Sequence, residues 1–237
     1  MLGRNRLLCL LCSLLLCLSF VPSAAAEEAE EETLPVEFFS DAAFFGDSVT
    51  KNLFSYCSRT DALGDALFLC EYFYSVENAV KNAIRIWYKG EGRTIETAIS
   101  LSGTHKAFFM LGINDLPLSG GVDRLMDNWA KLVAMLREEE PELAIYIQSL
   151  LPVYYNSQSD ANEVIDDYNE RLRTFCEEND CVYVDLAPHF KDEHNALKAA
   201  YCSDNDVHLT DAGAALWAEL LLDPANYSVD PREDYHE

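Results

Sequence analysis

The sequence predicts a three-layer α/β/α domain with a mainly parallel sheet, and three observations carry that reading. Short, nearly continuous apolar runs stop abruptly at Gly, Pro or Asp, as strands buried on both faces do. Longer segments with apolar residues at i, i+3, i+4 and i+7 lie between them and mark helices with one packed face. The two kinds alternate along the chain without an internal repeat or low-complexity linker, so one domain over residues 35–225 accounts for them.

The first 26 residues stand apart. Arg4 and Arg6 precede an apolar run over 7–21, and Pro22-Ser23-Ala24-Ala25-Ala26 supplies small residues at a cleavage-type site. This is the pattern of a secretory signal peptide, so residues 1–26 are expected to direct the protein out of the cytoplasm, to the envelope or beyond. The run is short for a membrane span, and membrane contact is expected only if the segment stays uncleaved. Cys17 follows Leu16 rather than a small residue, which argues against lipid attachment. Residues 27–34, rich in Glu, read as a solvated acidic spacer.

Within the domain, 42–45 (Ala-Ala-Phe-Phe) reads as the first strand, ended by Gly46. A further strand is expected within 66–74, where a helix is the alternative. The run 106–111 ends at Gly112, 143–150 is closed by Pro152, and 181–184 by Asp185. Val122, Leu125, Met126, Trp129, Leu132, Val133 and Leu136 form one helical stripe; Ala161, Val164, Ile165, Tyr168, Leu172, Phe175 and Cys176 form a second. Thr210 suits the N-cap of a last helix carrying Ala214, Ala215, Trp217, Ala218 and Leu221. Each stripe is read as core packing. Residues 226–237 lack a hydrophobic pattern and are expected to fray.

Charge and cysteine usage narrow the function classes. The 237 residues hold 41 Asp and Glu against 17 Lys and Arg, a formal charge of −24. Such a surface repels phosphate backbones and anionic headgroups, so no nucleic-acid partner is expected. Beyond residue 26 the cysteines are Cys57, Cys70, Cys176, Cys181 and Cys202, an odd number that cannot all pair within the chain. Cys176 and Cys181 either bridge across a helix-to-strand turn or remain buried thiols. The histidines show no metal-ligand spacing, and no Rossmann or P-loop glycine pattern is present. Neither a metal nor a nucleotide cofactor is expected.

Three polar clusters stand where this architecture places a site, at strand ends and at the start of the last helix. They are Gly46-Asp47-Ser48, Gly112-Ile113-Asn114-Asp115 and Asp204-Asn205-Asp206-Val207-His208. Singly, each reads as an ordinary cap or turn. Together they supply a nucleophile, a base, a carboxylate to orient the base, and an amide to hold an oxyanion.

With their flanks, Phe44-Phe45 before the first, Met110-Leu111 before the second and Leu209-Thr210 after the third, these blocks resemble those of SGNH/GDSL hydrolases in order and spacing. The resemblance implies a flavodoxin-like α/β/α fold and a serine esterase acting on acyl esters of lipids or acetylated carbohydrates. It implies Ser48 as nucleophile, His208 as base, and oxyanion donors among Ser48, Asn114 and the Gly112 block. Asp47 and Asp115 are read as shaping their turns. Two departures stand out. The family's Asp lies three residues before the His, where this chain has Asn205; Asp204 is favoured instead, with Asp206 the alternative. The glycine block that adds a further oxyanion donor is missing, and the stretch from Tyr74 to Ala79 falls in its place. These departures motivate a rival reading, an inactive envelope-binding protein on the same fold; acyl transfer to an acceptor other than water would use the same residues. Tyr154 and Tyr155, after the 143–150 strand, are candidate substrate contacts, by stacking on a sugar or lining an acyl pocket.

Overall fold

The computed structural model describes residues 33–154 and 160–232. The expected export segment, most of the acidic spacer and Tyr155 lie outside the described residues. In chain order the strands are β1 (Ala42–Gly46), β2 (Leu67–Cys70), a small antiparallel hairpin of β3 (Ile86–Tyr88) and β4 (Glu91–Arg93), β5 (Lys106–Met110), β6 (Ala144–Gln148) and β7 (Val182–Val184). The region that sequence left between strand and helix is thus a strand, β2.

Among the described residues, five parallel strands form one sheet in the order β2-β1-β5-β6-β7. The helices are α1 (Ser48–Thr60), α2 (Val76–Lys81), α3 (Ile95–Ser102), α4 (Gly121–Glu139), α5 (Ala161–Glu178), α6 (Ala187–Phe190) and α7 (Asp211–Leu221). α1 packs on α7, while α4 packs with α2, α3 and α5, which gives the three layers. From β1 the chain moves outward to β2, then returns across β1 to begin β5. That reversal leaves a crevice at the C-terminal ends of β1 and β5, where sheets of this kind bind ligands.

The sheet is held by aromatic residues in register. Phe44 pairs with Phe68 on one side and Phe108 on the other, and Phe108 pairs with Tyr146. Their rings stack across four strands with centroids 5.0, 4.8 and 4.3 Å apart. On the opposite face Phe45 stacks on Phe109, which receives the edge of Trp129 from α4. Each such pair adds roughly 0.5–1.5 kcal/mol beyond area burial. The crevice therefore sits above the aromatic-packed centre of the sheet.

Three expectations need correction. The domain is longer than 35–225: Leu34 is buried and its N–H donates to the Leu222 carbonyl. At the other end Tyr227 bridges to Val184, lays its ring edge against Tyr146, and donates its hydroxyl to the Leu221 carbonyl at 2.7 Å. The expected tail so begins inside the domain, because Tyr227 and Ser228 cover the open edge of β7. Val164, assigned to the core stripe of α5, is 40% exposed. Cys57, Cys70, Cys176, Cys181 and Cys202 are all free, so the 176–181 pair takes its thiol alternative.

Candidate active site

β1 ends at Gly46, where a β-carbon would overlap the Thr50 side chain and lie 3.1 Å from the Met110 carbonyl oxygen. Glycine there lets α1 begin directly above the strand. Asp47 caps it, accepting the Val49 N–H at 2.8 Å. Ser48 is the first residue of the helix, where backbone N–H groups lack intrahelical acceptors and the dipole favours negative charge.

His208 approaches from the loop before α7. Its Nε2 lies 2.9 Å from Ser48 Oγ, and its Nδ1 lies 2.5 Å from Asp204 Oδ2. The other Asp204 oxygen accepts the N–H groups of Asp206 and His208 at 2.9 and 3.2 Å. Partial burial raises the Asp204 pKa, but the hydrogen bonds from His208 and these two amides outweigh it, and the carboxyl is held below its ordinary value. An ionised Asp204 accepts Nδ1–H. The lone pair of Nε2 then faces the Ser48 hydroxyl, which is the arrangement for removing its proton.

Of the two candidate carboxylates, Asp204 therefore faces His208. Asp206 instead offers its backbone carbonyl to the Tyr154 N–H at 2.7 Å. The displaced spacing works because Asn205 takes a left-handed conformation, φ 61°. Asn tolerates that region, and the turn it makes returns Asp204 to the imidazole. Asn52, one helical turn after Ser48, accepts the Leu209 N–H at 3.0 Å and ties α1 to the histidine loop. Sequence reading missed Asn52, although its i+4 spacing from Ser48 placed it on the same helix face.

On the opposite side of Ser48 two carboxyls, Asp47 and Asp115, are buried, and Asn114 lies between them and the surface. The Asn114 amide donates to Asp47 Oδ2 at 2.9 Å and to the Tyr74 carbonyl at 3.1 Å. Asp115, 1% exposed, accepts the N–H groups of Val76 and Glu77, both at 3.0 Å, and so caps α2 and fixes the Tyr74 turn. The stretch starting at Tyr74 does fall beside the site, where the missing glycine block was expected. Burial pushes the Asp47 carboxyl up to about 6; the Val49 N–H and His208 pull it down, and Asp115 raises it further. Burial also raises Asp115, against hydrogen bonds from Glu77, Val76 and Ser75.

Both amide protons of Asn114 are engaged within the protein, so an oxyanion must draw one away from Asp47 or Tyr74. Gly112, at φ 138°, puts its α-carbon against Leu150 and the Tyr168 ring, and its carbonyl accepts the Asp115 and Leu116 N–H groups. That conformation and close packing account for a glycine there. Asp47, read from sequence as shaping a turn, also holds Asn114. Tyr154 is brought to the site, whereas Tyr155 lies outside the described residues.

A cleft of about 380 Å³ opens beside Ser48 and Asn114 and is bordered by Tyr154 and Asp206. Among the described residues, no group of three or more His, Cys, Asp or Glu side chains is arranged to hold a metal ion.

Residues 44–216 match the GDSL-like lipase/acylhydrolase family. The chain belongs to that family. It is an enzyme of the ester-hydrolysing class. Solved structures show the same fold at low identity. A GDSL-like lipase from Bacteroides thetaiotaomicron aligns with TM-score 0.63 and 16% identity, covering 79% of this chain and 88% of that one. An acetyl xylan esterase aligns at 0.57 and 14%, covering 76% and 96%. The C-terminal catalytic domain of a peptidoglycan O-acetyltransferase from Streptococcus pneumoniae aligns at 0.54 and 15%, covering 76% and 89%. No curated protein matches the sequence significantly.

Proposed function

We propose that this acylhydrolase is an exported serine esterase in which Ser48, His208 and Asp204 act as a triad. One observation carries the reading: the unbroken line from Asp204 through both nitrogens of His208 to Ser48 Oγ, with separations of 2.5 and 2.9 Å. Ser48 Oγ attacks the ester carbonyl carbon as its proton passes to Nε2. Asp204 stabilises the imidazolium and holds the imidazole in the required tautomer. The oxyanion is met by the Ser48 N–H at the start of α1 and by Asn114 as it lets go of Tyr74 or Asp47. Collapse expels the alcohol, which takes the Nε2 proton and leaves an acyl group on Ser48. Water, deprotonated by His208, then releases the carboxylic acid and restores the serine.

The rival reading of an inactive binding protein rested partly on the displaced Asp, and Asp204 reaches His208 despite the shift. Export is proposed from residues 1–26, and the substrate is an acyl ester of a lipid or carbohydrate. The test is hydrolysis of p-nitrophenyl acetate and longer esters by the protein and its Ser48→Ala variant. Turnover that disappears in a variant of unchanged circular dichroism supports the proposal. Equal background rates in both contradict it.

A further inference from the structure

The cleft beside Ser48 is built for hydrocarbon. Its volume of about 380 Å³ is at the low end for small-molecule sites, yet far exceeds what the two carbons of an acetyl group fill. Beyond the polar edge that Ser48, Asn114, Tyr154 and Asp206 form, its walls are aliphatic: Ile113 and Leu116 from the loop after β5, Val153 from the loop after β6, and Val164 and Ile165 from the start of α5. Val164 is the telling residue. Helical spacing would put it in the core, yet it is 40% exposed and lines the cleft instead. The wall is also fixed, since the Val153 N–H donates to Asn162 Oδ1 at 2.8 Å and its carbonyl accepts from Asn162 Nδ2 at 3.0 Å.

Against the aliphatic wall a sugar ring finds no hydrogen-bond partner for the hydroxyls it turns that way, which costs free energy. A methylene chain incurs no such loss and gains roughly three- to fourfold in binding for each carbon removed from water. The alcohol oxygen, by contrast, has to lie against His208 Nε2 to take its proton. Resting on the reading of Ser48 as the nucleophile, we propose that the acyl group of the substrate is a hydrocarbon chain well longer than acetyl, seated in this cleft.

The experiment measures kcat/KM of the full chain on p-nitrophenyl esters from acetate to decanoate, each below its solubility limit, beside the Ser48→Ala and Val164→Trp variants. The alcohol is constant, so only the acyl part is varied. The expected result is a Ser48-dependent preference for octanoate, at least tenfold above acetate. Val164→Trp, at a half-exposed helix position where folding is little affected, should lower the octanoate-to-acetate ratio by at least tenfold. A Ser48-dependent optimum at acetate would overturn the acyl-chain proposal while leaving the esterase standing. An octanoate preference untouched by Val164→Trp would overturn the assignment to this cleft. Turnover of no ester through Ser48 would overturn both readings together.

Discussion

Ser48 is flanked by two half-sites built in different ways. On the base side, His208 and Asp204 share one short loop, and their side chains are each 36% exposed. On the oxyanion side, Asp47 is 2% exposed and meets Asn114 across 67 residues of sequence, while Asn114 meets Tyr74 across 40. The first half is held by local turn chemistry and stays open to an incoming ester. The second is held by the sheet, at the β1–β5 reversal, and is anchored on a desolvated carboxyl, Asp47. The proton-moving groups thus sit in water's reach, whereas Asn114, itself half-buried at the cleft, is oriented from behind by the desolvated Asp47.

The two halves differ in how much rate each of their side chains supplies, and Asp204 supplies the most. Asp204→Asn should lower kcat by about 10³- to 10⁴-fold, because the imidazole loses its tautomer and its charge partner. Asp206→Asn, whose contact with Tyr154 is through the backbone, should stay within about threefold. Steady-state kinetics on both decide it, and the reverse ranking would move the base-side partner to Asp206. Asn114→Ala should cost about 10²- to 10³-fold in kcat with KM little changed. A loss under about fivefold would mean that the amide only braces Asp47 against Tyr74.

Asp47→Asn should have a smaller kinetic effect, roughly ten- to hundredfold in kcat, since it acts by orienting Asn114. Its signature lies in stability. The folded pKa of Asp47, about 6, stands above its ordinary 3.8. Ionising it therefore destabilises the fold; the penalty is absent below the lower value and complete above the higher one. The variant escapes that penalty. Its stability relative to wild type should rise by up to about 3 kcal/mol as pH increases from about 4 to about 7, read by urea denaturation at each pH. A difference that stays flat with pH would show that Asp47 titrates as an ordinary exposed carboxylate.

The same contrast explains what was legible in the sequence. The strands announced themselves because runs such as Phe44-Phe45 and Phe108-Phe109 are buried on both faces, and Ser48 and His208 because short blocks carry them. Asp204 was within reach, since a four-residue separation lets a single left-handed residue at Asn205 close the loop. The grip of Asp47 on Asn114 was not, because nothing local records a contact made across the sheet. Val164 misled for the same reason: helical periodicity identifies an apolar face but not where that face leaves the core and meets a cleft. The end of the domain was misplaced because Tyr227 covers a sheet edge with a single ring, and no periodic pattern marks that.

The most direct measurement is labelling of the folded protein by an alkyl fluorophosphonate, followed by intact mass and peptide mapping. Such a reagent reacts only with a serine whose proton is being removed and whose oxyanion is stabilised, so it tests both halves at once. The account predicts a single adduct on Ser48, absent in Ser48→Ala and formed far more slowly in Asp204→Asn. A folded protein that takes up no label, or carries it on another residue, would contradict it.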